Sequence, residues 1–202
     1  VAHDRLALAL LELNRAHEAS EHTEAAVRGE LALHGAGHVH VLNALTTHSL
    51  VLVQTGHCEE GRTLCASVLA ECTALFGPDH PRTLTLENNL ARIDMELGQV
   101  DEAIAAMEKV FRRRHQLVGP HHVDTLMALS NYAMGLLARG DSAPARDWLE
   151  ECIAAGGAEL GDDHPVLVHL GVLLGRAYFL LGDRDAARVR LSRSLAALER
   201  VF

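Results

Sequence analysis

The sequence predicts an all-α protein built from a tandem two-helix repeat, and three observations predict it. Of 202 residues, 49% are hydrophobic and only 3% aromatic. Leu, Ala and Val must therefore fill the core, and abundant Leu and Ala favour helix where the β-branched and aromatic residues of sheets are scarce. The stretches GAGHVHVL, GPDHPRTL, GPHHVDTL and GDDHPVLV bring His38, His80, His122 and His164 into register at intervals of 42 residues. Gly56, Gly98, Gly140 and Gly182 keep the same interval, and Asn14 holds the corresponding place in a partial first unit. Gly and Asn tolerate the left-handed backbone that ends one helix and turns the chain toward the next. Each repeat is therefore a pair of helices.

The junction comes first in each unit. In GPDHP, Gly77 closes the preceding helix, Asp79 or His80 accepts a hydrogen bond from the first free amides of the next, and Pro81 suits the first helical position. Where Val123 replaces Pro81, Asp124 sits in the first turn and favours the positive helix end. Small residues then flank the Gly turn: Ala7, Ser49, Ala91, Ala133 and Gly175 before it, and Ala19, Gly61, Ala103, Ala145 and Ala187 after it. Close approach of two helices needs small side chains, so these columns mark the crossing inside each antiparallel pair. A larger apolar column, Val27, Leu69, Phe111, Ile153 and Leu195, is expected to form the buried face of the second helix.

The units so defined are a partial one at 1–34 and full ones at 35–76, 77–118, 119–160 and 161–202, read as a single domain. In the fourth, Trp148 is expected to pack within its own unit. Gly156 and Gly157 are expected to fray or bend its second helix, at about 1 kcal/mol per Gly relative to Ala. The apolar run from Val166, interrupted by His169 and Arg176, reads as a buried helix rather than a membrane span.

Several function classes are disfavoured. A formal net charge of −9 lacks the attraction that powers nucleic-acid binding, and Arg112, Arg113 and Arg114 are too local a run to supply it. Cys58, Cys65 and Cys72 recur every seven residues, about 10 Å apart along one helix stripe, too far for disulfides. With Cys152 they read as reduced, semi-buried thiols in a reducing compartment. Equivalent junction histidines fall in successive units about 10 Å or more apart, so no single ion can gather them. Neither GxxxxGK[ST], HExxH nor GxSxG occurs. No catalytic residue, metal or cofactor is expected.

The string GPDHPRTLTLENNLARIDMELGQVDEAIAAMEKVF, with its 42-residue period, resembles the kinesin-light-chain type of tetratricopeptide repeat. That type runs from a GxDHPxT junction into an xNNLA first helix, a Gly turn and an EA-bearing second helix. The third unit matches best, and the fourth keeps Asn131 and Ala133. The second has Thr46 and Thr47 for the Asn pair, and the fifth has Val172 and Leu173. The resemblance implies a right-handed α-solenoid of antiparallel helix pairs, whose first helices line a concave groove that binds protein or peptide segments. It also implies the sensor or scaffold part of a larger cytoplasmic regulator, STAND-type nucleotide switches among them. The lone Lys109 against many arginines points to a GC-rich bacterial genome.

Helical spacing places on the inner face Asn43, Thr46, Thr47 and Leu50, then Thr85, Asn88, Asn89, Arg92 and Glu96. Met127, Ser130, Asn131 and Met134 follow, then His169, Val172 and Arg176. Asn89 and Asn131 are the sharpest candidates, because a side-chain amide both donates to and accepts from an extended backbone. Arg92 or Arg176 could hold a carboxylate. The alternative is a structural spacer that self-associates through uncapped ends, since the chain starts inside a helix and stops at the end of another, as a fragment of a longer array or one covered by a second copy would. Nucleic acid and membrane are not expected partners.

Overall fold

The computed structural model describes Leu6, Ala9, Leu10 and residues 15–201. Ala7, Asn14 and Phe202 lie outside the described residues. Among those described there are nine long helices and no strand. They are α1 (Ala16–His34), α2 (Val39–Gln54), α3 (Cys58–Phe76), α4 (Pro81–Glu96), α5 (Val100–Val118), α6 (Val123–Arg139), α7 (Ser142–Leu160), α8 (Pro165–Leu180) and α9 (Arg184–Val201). The even-numbered helices α2, α4, α6 and α8 begin at 39, 81, 123 and 165, and α3, α5, α7 and α9 at 58, 100, 142 and 184, so the 42-residue period of the sequence is the period of the helices. None of the described helices is long and apolar enough to cross a membrane.

The junction histidines start the first helices. His38, His80 and His122 hold extended backbone at the N-cap, and each Nδ1 accepts from the backbone N–H two residues on, at 3.3, 3.2 and 3.2 Å. That bond requires Nδ1 unprotonated, which places the neutral ring's proton on Nε2. His164 has the same extended backbone, yet its Nδ1 is buried with no hydrogen-bond partner among the described residues. The glycine column turns the chain as its residue type predicts: Gly56, Gly98, Gly140 and Gly182 have φ of 89°, 83°, 99° and 86°, where any side chain is strained.

Two compact units divide the chain, Val1–Gln99 and Val100–Phe202. In the first, α2 packs on α1 and α3, and α3 on α4, around Leu42, Cys65, Val68, Cys72, Leu86 and Ile93. At Gly61, a Cβ would stand 2.7 Å from both the Ser49 carbonyl oxygen and Val53 Cγ2. The small-residue columns therefore bring the backbones of α2 and α3 together. In the second unit, α6 packs on α5, α7 and α8, and α8 on α7 and α9. Ala103, Ala133, Ala145 and Ala187 are buried there, and Gly175 lies against Leu191.

Three expectations need correction in the second unit. Trp148 packs beyond its own repeat: its ring meets Phe111 edge-on at 5.0 Å and His115 at 5.9 Å, both on α5, and the Arg112 guanidinium lies over it at 5.2 Å. Helix α7 runs through Gly156 and Gly157 without ending. Gly156 is there for close approach, since a Cβ would fall 2.7 Å from Leu167 Cδ2. Leu195 departs from its column: Phe111 and Ile153 are buried, whereas Leu195 is 58% exposed, because among the described residues α9 packs only on α8.

All four cysteines are free. Cys65, Cys72 and Cys152 are buried, and burial pushes the Cys65 thiol up to about 11 and that of Cys152 to about 12, so both stay protonated.

Candidate peptide-binding face

The candidate residues fall into four columns, each spaced by 42 residues along the first helices. Asn43, Thr85, Met127 and His169 form the first and are all exposed. Arg92, Met134 and Arg176 are exposed in the last, with Leu50 half-buried. Between them, Thr46, Asn88, Ser130 and Val172 pass from half-buried through buried to exposed, while Thr47 and Asn89 are buried and Asn131 is half-buried. Glu96 is exposed near the end of α4. Spacing on a helix thus separates two open margins from a recessed middle.

In the first unit this face is polar. Arg82 of α4 donates to Asn43 Oδ1 of α2, fixing the amide orientation. Thr46, Thr47 and Thr85 donate their hydroxyl protons to carbonyls of their own helices, at 2.7, 3.2 and 2.9 Å. Thr47 is buried. Asn88 and Asn89 are only 9% and 8% exposed, and Asn88 Oδ1 has no hydrogen-bond partner among the described residues. A buried acceptor left unpaired costs free energy that an incoming donor recovers.

The second unit presents different chemistry on the equivalent columns. Met127 at 53%, Met134 and Val172 are exposed apolar residues there, and Arg176 is exposed one turn after Val172 on α8. Met is flexible and polarizable, and suits surfaces that accept varied side chains. Ser130 is buried, and its Oγ meets His169 Nε2 at 2.9 Å between α6 and α8. Asn131 is half-buried.

Sequence reading placed these residues on one face but missed the two bridges between neighbouring first helices. Both Asn43–Arg82 and Ser130–His169 join positions 39 residues apart. One repeat less one helical turn brings side chains of adjacent first helices together, and a scan for polar pairs at that offset would have found both. His34, His38 and His40 also gather at the first junction, with ring centroids 4.3 to 5.3 Å apart. Among the described residues, no group of three His, Cys, Asp or Glu side chains is arranged to hold a metal ion.

Family models described as tetratricopeptide repeat match residues 41–82, 82–158 and 168–193. The chain belongs to the tetratricopeptide-repeat family. Among solved structures, a putative kinesin light chain of Podosopora anserina with nearly identical TPR-like repeats is similar at TM-score 0.79 and 24% identity, covering 99% of this chain and 94% of that one. BtubC (BKLC) from P. vanneervenii is similar at TM-score 0.77 and 16% identity, covering 97% and 78%. MamA from Desulfovibrio magneticus RS-1 is similar at TM-score 0.60 and 12% identity, covering 98% and 94%. No curated protein sequence matches the chain. These likenesses establish the fold of a tetratricopeptide-repeat protein, a class made up generally of non-enzymatic modules for protein–protein interaction.

Proposed function

We propose that this tetratricopeptide-repeat chain is the sensor or scaffold part of a larger cytoplasmic bacterial regulator. Acting as one domain, it binds a protein or peptide segment on the first-helix face, the groove that the family resemblance implies. The observation that carries the reading is the exposure of side chains on the first helices, Arg92 and Glu96 in the first unit and Met127, Met134 and Arg176 in the second. Recessed amides behind them, Asn88 with an unpaired Oδ1 among them, offer backbone recognition. A segment lying there would place apolar side chains on the two Met and a carboxylate on Arg92 or Arg176.

The test begins with peptides selected from a random library for binding to the chain. Met134→Glu and Arg176→Glu alter exposed positions and leave the core alone, so they should weaken binding of the selected peptides while the helix content stays constant. The pair Asn89→Ala and Asn131→Ala should do the same. Undiminished affinity in both single variants and in the Asn89→Ala, Asn131→Ala double variant would reject this face.

A structural spacer that self-associates is the second reading, favoured by the exposed Val189, Leu191, Leu195 and Leu198 of α9. Sedimentation over a concentration range separates the two, since only the spacer requires reversible growth.

A further inference from the structure

A cleft of about 510 Å³ opens between α7 and α9 of the second unit, away from the first-helix columns, and includes Glu150, Asp162, Arg190 and Arg193 in its lining. The repeat supplies its own reference for what belongs there. One unit earlier, the positions equivalent to Gly171, Arg190 and Ser194 hold Leu129, Trp148 and Cys152. Leu129 and Cys152 are fully buried, and Trp148 packs on Phe111. In the Ser194 column the other full units have Val68, Val110 and Cys152, all buried. Among the full units only the last combines a notch, a cation and a hydroxyl at these positions; the second has Leu45, Leu64 and Val68, and the third Glu87, Ala106 and Val110.

The exchange is concerted. At Gly171 a Cβ would stand 2.5 Å from Ser194 Oγ, 2.7 Å from Arg190 Nη2 and 2.9 Å from Arg190 Nε, so both polar side chains lie over α8 only because that residue is glycine. Ser194 is 4% exposed, and its Oγ has no hydrogen-bond partner among the described residues. Arg190 is half-buried and its Nε is likewise buried without a partner. The carboxylates nearby are already engaged: Asp162 accepts from Arg193, and Glu150 accepts from the Tyr178 hydroxyl at 2.5 Å. A buried guanidinium Nε–H and a buried hydroxyl without partners are costly unless something completes them.

We propose that Arg190, with Arg193 at the rim, holds a carboxylate that enters the cleft between α7 and α9, while Ser194 lines the small void behind Arg190. The planar fork of an arginine matches the two oxygens of a carboxylate. Two further acids, Glu150 and Asp162, line the same cleft, so a single negative charge fits where a phosphate dianion would be opposed. Burial, and after it the charge of Arg193, lower the Arg190 pKa against the opposing pull of Asp162 and Tyr178, and a bound anion would add to that opposing pull. This site is independent of the first-helix face.

The test follows the Arg193 Nε–H signal and the backbone N–H signals of Gly157 and Ala158, cleft-lining groups present in every variant, in proton–nitrogen spectra of the whole chain during titration with sodium acetate, with sodium chloride as the ionic-strength reference. A saturable shift with acetate alone is expected, weakened about tenfold or more in Arg190→Gln. It should vanish in the triple variant Gly171→Leu, Arg190→Trp, Ser194→Cys, which restores the apolar trio of the preceding unit. Trialanine with a free C-terminus should also bind and its C-terminal amide should not. Tighter binding than acetate supports a polypeptide source of the carboxylate, and equal binding supports a small acid. Shifts that match those with chloride, inorganic phosphate binding more tightly than acetate, equal binding of the amide, or unchanged acetate binding in Arg190→Gln would overturn the proposal.

Discussion

Adding one methyl group at each of three glycines should give three different answers. At Gly61 the new Cβ meets a backbone carbonyl, Ser49 O, at 2.7 Å, and Val53 Cγ2 at the same distance. Neither can move without parting α2 from α3, so Gly61→Ala should cost about 1–3 kcal/mol. At Gly156 the obstacle is Leu167 Cδ2, also at 2.7 Å but the far end of a flexible side chain, so the loss should be smaller. Gly29 lies inside α1 with nothing within 4 Å, and Gly29→Ala should stabilise by about 0.5–1 kcal/mol through the helix preference of Ala. Thermal unfolding by circular dichroism resolves this order, because 1 kcal/mol corresponds to about 2–4 °C in a chain of this size. Should Gly61→Ala melt at or above wild type, the close crossing assigned to the small-residue columns is wrong.

Phe111→Ala removes a fully buried ring that touches Tyr132, His115 and Trp148, so it should cost about 3–5 kcal/mol in urea unfolding and change the emission of the single tryptophan. His80→Ala deletes a working N-cap and should lower stability by about 0.5–2 kcal/mol, whereas His164→Ala, whose ring caps nothing, should cost less on the same assay. Burial holds the His48 pKa below its ordinary 6.5, with Thr23 Oγ1 at 2.9 Å from Nδ1. The unfolded chain then takes up the proton first, so the His48 contribution is complete above pH about 6.5 and is lost as pH falls through the folded value. Wild type minus His48→Gln stability, measured by urea unfolding from pH 7.5 to 5, should therefore shrink toward acid. Iodoacetamide at pH 8 should label Cys58 well before Cys65, Cys72 and Cys152 by mass spectrometry, because the latter three are buried and their thiols are raised in pKa.

Local chemistry with a period was legible in the sequence. Gly56, Gly98, Gly140 and Gly182 needed only their residue type and spacing to be placed in left-handed turns, and His80 and Pro81 to be placed at a helix start. The exposed margins of the candidate face followed from helical spacing as well. What spacing did not yield was depth and partnership between units. Asn89 lies in the first-helix columns and is nevertheless buried, and Trp148 reaches back to Phe111 because a ring of that size fills space that two helix pairs share. Gly156 reads as a weak point where its helix frays or bends because propensity is a property of one residue, whereas its role depends on Leu167, eleven positions on. His164 carries the same motif as His80 yet makes no cap bond, a difference for which the structure gives no physical cause.

The four methionines make the central claim directly measurable. Met127 and Met134 are exposed on the first-helix columns, Met95 is half-buried near the end of α4, and Met107 is buried in α5. In a methyl spectrum of the chain carrying labelled methionine, a library-selected peptide should shift Met127 and Met134 and leave Met107 in place. Saturable binding that leaves both Met127 and Met134 unmoved would contradict the assignment of recognition to this face.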